Sequence, residues 1–521
     1  MFVLDKQHML VLPYRADVEN LLGAAVKRHT HKGSLYLLVP HTVEYVSVLR
    51  NLGIAAPSPI LHYYDWSGGK PFDSQRATSG MLVQNRCAYV LSEMGVGKTR
   101  AILYAFDYLR SIGRASKMLV AAPLSTLVSV WENEIFENLP HLRATVVYGD
   151  KKKRHKLLNI DSDVYIINHD GLAVVRESLM ARTDIDVLTI DELATFRNNR
   201  SARWKIMRPF VERARYAWGV TGAPTPNAPT DAFGQVKLLT PSRVGYSFKS
   251  FRDRTMRQVS AFRWVPRQEA LDIVFETMQP SVRFTRDQCL DLPPTTYSVR
   301  DIEMPEAAKK QYAKMFKELS IQVKSQEITA ANEGVKLSKL LQIAAGFAYD
   351  SDGNGNYIGG ARRVREILDI IEETTHKVIV FAPFRYLVDL FHGVLAHELG
   401  EENVAKIHGD VAKSVRDKTF IGFQNSPRPR VLIAHPGTMA HGLTLTEAAT
   451  IIWASPISSL EIFEQANARI TRSGQRNQTH IIMLQATRAE KEVYSRLRRK
   501  AKLQGTLLDL FEEGSAAALN S

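Results

Sequence analysis

The octapeptide SEMGVGKT, residues 92–99, constrains this chain more than any other stretch. An apolar run at 88–91 leads into it, and 100–109 continues with the periodicity of an amphipathic helix. Strand, glycine turn and helix start, in that order, turn backbone N–H groups and the positive helix end toward an anion. Gly95 and Gly97 let the backbone approach phosphates. Lys98 suits the β- and γ-phosphates, and the Thr99 hydroxyl suits Mg²⁺. On this reading Met94, Gly95, Val96, Gly97, Lys98, Thr99 and Arg100 hold a nucleotide. The full pattern has glycine where Ser92 stands, so an ordinary glycine-rich turn is the alternative for this segment alone.

Other segments supply partners for such a loop. Gln75 precedes it, and an amide can donate to and accept from an adenine edge at once. A short apolar strand at 187–190 ends in Asp191 and Glu192. Asp191 suits Mg²⁺, and Glu192 suits the orientation and deprotonation of an attacking water. An adjacent acidic pair is otherwise a common surface feature. The run TGAPTPN, 221–227, gives another strand end, with hydroxyls placed to sense a γ-phosphate. Ser125 and Thr126 follow the strand 117–122, where hydroxyls and N–H groups take a nucleic-acid phosphate or cap the next helix.

Alternating strands and helices from 71 to 240 predict a parallel α/β domain with ligands at the carboxyl ends of its strands. A second such block runs from 361 to 490, with strands at 377–382, 404–408, 430–434, 450–454 and 480–484. Residues 1–70 read as a small accessory domain, with helices at 16–27 and 43–52 and a strand at 34–39; it either binds nucleic acid or packs on the core. Residues 241–360 read as a helical insertion and linker, largely helical over 307–347, with DSDGNGNYIGG (350–360) as a surface loop. A helix and tail close the chain at 491–521. Within 247–267, Phe248, Phe251, Phe262 and Trp264 alternate with Lys249, Arg252, Arg254, Arg257, Arg263 and Arg267. Phosphate contact and a docked helical extension both account for that pattern. In QANARITRSGQ, 465–475, Arg469 and Arg472 are expected on one face of a helix, where arginines can reach a phosphate on a neighbouring domain.

Charge and cysteine use limit the partners. Lysine and arginine number 68 against 54 aspartates and glutamates, a formal charge of +14, which suits a polyanion. The two cysteines, Cys87 and Cys289, form no zinc spacing and no disulfide framework, which points to a reducing compartment. No apolar run is long enough to span a bilayer, so a soluble protein of the cytoplasm is expected, in a bacterial or phage-infected cell.

With these segments in place the chain resembles a superfamily 2 helicase-like ATPase of the Swi/Snf branch of DNA translocases, as a compact bacterial or phage-type member. Gln75 looks like the adenine-reading glutamine, SEMGVGKT like motif I, APLSTLVSVWENE (122–134) like motif Ia, DELA (191–194) like motif II and TGAPTPN like motif III. LDLPP (290–294) resembles the linker between lobes; HGD (408–410), HGLTL (441–445) and QANARITRSGQ resemble the motifs of the second lobe. Thr444 stands where motif V usually has Asn, Thr471 where motif VI often has His, Ala194 ends motif II, and Ser458 replaces a frequent Trp.

The resemblance implies two tandem RecA-like lobes, ATP and Mg²⁺ as cofactors, and Lys98, Asp191, Glu192, Arg469 and Arg472 as catalytic residues. It also implies DNA contacts from Ser125, Thr126 and Thr444. The expected activity is ATP-dependent translocation of a monomer on duplex or branched DNA, with RNA as an alternative partner. The other readings are a strand-separating DNA or RNA helicase, a nucleic-acid-binding protein with a vestigial ATP site, and a phosphate-loop kinase.

Overall fold

Apolar runs flanked by turn residues become strands buried on both faces, and two parallel sheets result. The computed structural model describes residues 1–66, 69–260, 263–289, 292–304, 306, 308–310, 312–314, 330–439 and 444–519, some of the helical ones by backbone alone. The chain divides into two compact units, Met1–Cys289 with Gln504–Ser521, and Leu290–Leu503.

The first unit opens with strands β1 (Phe2–Leu4), β2 (Met9–Pro13), β3 (Lys27–His31) and β4 (Ser34–Pro40), in the order β1-β2-β4-β3 and antiparallel throughout. The helices Ala16–Leu22 and Val43–Asn51 cover one face of this sheet, where Leu10, Leu12, Leu37 and Val39 meet Val18, Val46 and Leu49. The helix expected over 16–27 is cut short at Leu22. Gly23, at φ 54°, ends it, and Lys27 already begins β3.

Beyond it lies a seven-stranded parallel sheet. Its members are β5 (Cys87–Val90), β6 (Lys117–Ala122), β7 (Ala144–Val146), β8 (Val164–Asn168), β9 (Ile185–Asp191) and β10 (Tyr216–Val220), followed by the hairpin strands β11 (Met256–Ser260) and β12 (Arg263–Pro266), which lie outside it, and β13 (Ser281–Val282), which joins its edge. The order is β13-β5-β10-β9-β6-β8-β7. Alternate side chains feed two cores: Tyr89, Leu119 and Tyr165 on one face, Ala88, Val120 and Ile166 on the other. Leu507, Leu508 and Phe511, from the helix Arg488–Leu519, complete the first of these cores. A carboxy-terminal helix was legible in the sequence; its return to this core was not.

The second unit carries a six-stranded parallel sheet in the order β14-β21-β20-β17-β19-β18. Its strands are β14 (Thr295–Asp301), β17 (Lys377–Phe381), β18 (Val404–Ile407), β19 (Val431–Ala434), β20 (Ala448–Trp453) and β21 (Thr479–Gln485); β15 (Phe347–Tyr349) and β16 (Gly355–Tyr357) pair separately. That pair corrects the expectation of a plain loop at 350–360: the turn Asp350–Asn354 closes a hairpin instead. The helix Ala330–Ala344 stops before Gly346, whose φ of 93° no helix continues, so Phe347 is strand rather than helix. Arg363 and Glu490 form a fully buried ion pair at 2.9 Å that ties the helix Ala361–Glu372 to the start of Arg488–Leu519. Among the described residues no helix is long and apolar enough to cross a membrane.

Candidate functional site

Three strand ends build the site in the first unit. After β5, residues 91–97 loop into the helix Lys98–Ser111, with Gly95 at φ 87° and Gly97 at φ 77°. A side chain at 97 would be strained by the left-handed backbone and would displace Gln75 Nε2, which would lie 2.2 Å from its Cβ. Lys98 Nζ donates to the carbonyls of Ser92 (2.7 Å) and Glu93 (2.8 Å), so the ammonium is fixed at the loop. Ser92 explains its departure from glycine. It is buried, and its Oγ accepts the N–H of Phe284 at 3.0 Å, just past the edge strand β13.

The same edge clamps Glu93. Arg286 Nε and Arg283 Nη2 reach its carboxylate at 3.0 and 3.4 Å, and Arg283 Nη1 donates to Leu91 O at 2.8 Å. Burial pushes the Glu93 carboxyl upward, but Arg286 and Arg283 overcome it and hold it below its usual range. Nothing in the sequence marked Arg283 or Arg286, because their partners lie almost 200 residues earlier.

Asp191 ends β9, two strands from β5 with β10 between. Its Oδ2 accepts from Trp131 Nε1 at 3.1 Å, its Oδ1 from Glu192 N at 3.0 Å, and its carbonyl oxygen meets His169 Nε2 at 2.9 Å. Burial raises the Asp191 carboxyl above its ordinary value; Trp131 and Lys98 pull against that. Glu192 sits at φ 52°, a left-handed backbone uncommon outside glycine, and strain of this kind gathers at functional sites. The Thr221–Asn227 turn follows β10. A Cβ on Gly222 would lie 3.6 Å from Ser92 O and 4.0 Å from Lys98 Nζ, so this turn borders the phosphate loop.

The remaining candidates are placed less openly. Gln75 is 4% exposed; its Nε2 donates to Gly97 O at 3.2 Å and its Oε1 accepts from Phe72 N at 2.9 Å, so the amide braces the loop. Arg100 Nε holds Glu134 at 2.5 Å, tying its helix to Asn133–Asn138. Val96 is buried, whereas Met94 and Thr99 are partly exposed. Ser125 is exposed, and the Thr126 hydroxyl donates to Pro123 O at 3.0 Å without capping the turn that follows.

The basic and aromatic stretch 247–267 divides its labour. Phe251 is buried and packs with Phe233, which also takes the edge of Phe248, while Arg252 lies 4.0 Å over Trp264. Lys249 and Arg252 join Arg197 and Arg200 around a groove of about 750 Å³. Phe262 lies outside the described residues.

In the second unit, Arg469 and Arg472 are not on a helix as expected. The helix Leu460–Asn467 ends first, and both follow in the turn. Arg469 is 2% exposed with Nε on Gln465 O at 3.0 Å; Arg472 is half-buried with Nε on Ala468 O at 2.9 Å. Gln475 Nε2 ties the turn down through Ala448 O and Ile470 O, both at 2.9 Å. Thr444 is exposed. His441, Gly442, Leu443, Leu290 and Asp291 lie outside the described residues.

Comparison with known proteins decides the family. The SNF2-related domain matches residues 67–346, and the helicase conserved C-terminal domain matches 361–474. The chain belongs to the SNF2 family of helicase-like ATPases. This SNF2-family chain is 26% identical over 451 residues to protein p41 of Acyrthosiphon pisum secondary endosymbiont phage 1, across 82% of its own length and 95% of the phage protein. It is 24% identical over 455 residues to the DNA annealing helicase and endonuclease ZRANB3 of Mus musculus, where 84% of this chain covers 40% of the relative. Among solved structures, the Sulfolobus solfataricus SWI2/SNF2 ATPase core in complex with dsDNA aligns with 87% of this chain and 96% of that one, at 20% identity and a TM-score of 0.41.

Proposed function

We propose that the protein is a DNA-stimulated ATPase that converts hydrolysis into movement along double-stranded DNA. The observation that carries this is the placement of Lys98, Asp191 and Glu192 at the carboxyl ends of β5 and β9, with only β10 between, in a chain of the SNF2 family. The loop 94–99 binds the phosphates, with Lys98 exchanging two loop carbonyls for phosphate oxygens. Gln75 releases Gly97 to meet the adenine edge. Glu192 orients the attacking water and takes its proton. Arg469 and Arg472 supply charge to the γ-phosphate from the second lobe, and Ser125 and Thr444 touch the DNA backbone. Residues Arg197, Arg200, Lys249 and Arg252 offer further phosphate contacts.

The site suits magnesium. Among the described residues no three His, Cys, Asp or Glu gather around one point. Magnesium with a nucleotide needs only one or two protein oxygens, the rest coming from water and phosphate. Asp191, whose charge is disfavoured by burial, gains from a nearby cation, and Thr99 stands at the helix start. The ion would supply charge neutralisation on the phosphates.

Glu192→Gln tests the reading. ATP and DNA binding should persist while turnover falls by about a hundredfold or more, the scale of a lost general base. Displacement of a triplex-forming strand by wild type, set beside unwinding of a forked duplex, separates translocation from strand separation. Turnover indifferent to DNA would overturn the proposal.

A further inference from the structure

The amino-terminal sheet lies outside the two matched family segments; helices cover one of its faces, and on the other Val11 is buried at 5% exposed while the β3 side of the face is exposed. The other face has a definite composition. Strand register puts Phe2, Val11, Leu38 and Lys27 in one row across all four strands, and Pro13, Tyr36 and His29 in the next. His31, opposite Ser34, begins a third. Successive rows on one face are about 7 Å apart, two residues of strand rise.

All five residues of the edge strand β3 are exposed, and Phe2 is 56% exposed. The His29 and His31 rings lie side by side, 6.4 Å apart and within 15° of parallel. A tight turn at Lys32 and Gly33, both at positive φ, carries the hairpin past the end of β2, whose pairing with β4 stops at Tyr36. The four strands contain no Asp or Glu. Arg28 points to the helical side and is held by Glu19 at 2.5 Å; among the described residues Lys27 and Lys32 form no ion pair.

Edge strands of this length ordinarily bury one face; this one buries neither and offers cations and flat rings together. We propose that this open face binds single-stranded DNA, with bases stacked on Tyr36, His29 and His31 and phosphates on Lys27 and Lys32. Rings on a sheet surface accept bases of any sequence, and the lysines track the backbone. The face would thus hold the single strand of a branched substrate. The inference does not require the ATPase reading, because it concerns a separate sheet.

The test uses the full chain and a labelled oligothymidylate, followed by fluorescence anisotropy without ATP. Tyr36→Ala with His29→Ala, and separately Lys27→Glu with Lys32→Glu, should each weaken binding by about fivefold or more, the lower end of one stacked base. Blunt-duplex binding and duplex-stimulated turnover should stay at wild-type levels. The lysine pair, exposed at the surface, keeps the test valid if the aromatic pair disturbs the sheet. Crosslinking through 5-iodouracil should map to residues 27–36. Unchanged oligothymidylate affinity in both double variants, or crosslinks confined to other segments, would overturn the assignment. A wild type without duplex-stimulated turnover would refute the motor reading alone and leave this one to the anisotropy.

Discussion

Ser92 Oγ accepts the backbone N–H of Phe284 at 3.0 Å, joining the phosphate loop to an edge strand from the far end of the same unit. Both residues are buried, so the bond has no water to replace it. Ser92→Ala should therefore destabilise the chain by about 1–3 kcal/mol, the cost of a buried donor left unpaired. Denaturant unfolding monitored by intrinsic fluorescence measures it. An unchanged midpoint would mean that Phe284 N–H finds another acceptor.

Trp131 is 1% exposed and aims its indole N–H at Asp191. Trp131→Phe keeps most of the packing and removes that donor. If Asp191 holds Mg²⁺ as proposed, a group that orients it is expected to contribute about 10- to 100-fold to metal affinity or activity. The expected outcome is a rise of that order in the Mg²⁺ concentration for half-maximal ATP turnover, with little change in stability. A magnesium titration at saturating ATP reads it directly.

Arg472 separates a two-lobed mechanism from a self-contained first lobe. Arg472→Ala should lower DNA-stimulated turnover by about a thousandfold or more, on the scale of arginine fingers. ATP binding should change much less. Lysine should rescue poorly, because it lacks the planar fork that engages two phosphate oxygens. If the arginine only held its own turn, turnover in folded Arg472→Ala protein would match wild type.

His41 predicts a pH dependence. It is 2% exposed, with Nε2 on Pro57 O at 2.9 Å and Nδ1 on the Tyr63 hydroxyl at 2.8 Å. Burial lowers the imidazole pKa below its ordinary 6.5, only partly offset by the Pro57 carbonyl, and Tyr63 is pushed up to about 12. A folded pKa below the unfolded one means that the unfolded chain binds the extra proton. The stability His41 contributes is complete above about pH 6.5 and is lost as pH falls below it, at about 1.4 kcal/mol for each unit of pKa difference. Thermal unfolding at pH 7.5 and 5.5 should show the wild type losing more than His41→Gln, although the variant starts lower.

Local chemistry was enough to single out the candidate site of the first unit. Gly95, Gly97, Lys98 and Thr99 succeed one another along a strand, turn and helix, and Asp191 and Glu192 close an apolar run. Each signal lies within a dozen residues, a span over which backbone geometry alone restricts the conformation. The same holds for the sheets, since strands buried on both faces advertise themselves as unbroken apolar runs.

Tertiary structure alone decided how those residues are braced. Arg283, Arg286 and Phe284 act on Ser92 and Glu93 only because β13 joins the sheet beside β5. Gln75 Nε2 bonds Gly97 and Arg100 Nε bonds Glu134, and Arg469 lies buried past a helix end rather than along a helix. The sequence specified these side chains but not their partners. Pairing across tens to hundreds of residues depends on which strands become neighbours, and strand order is settled by the packing of whole layers rather than by any local pattern.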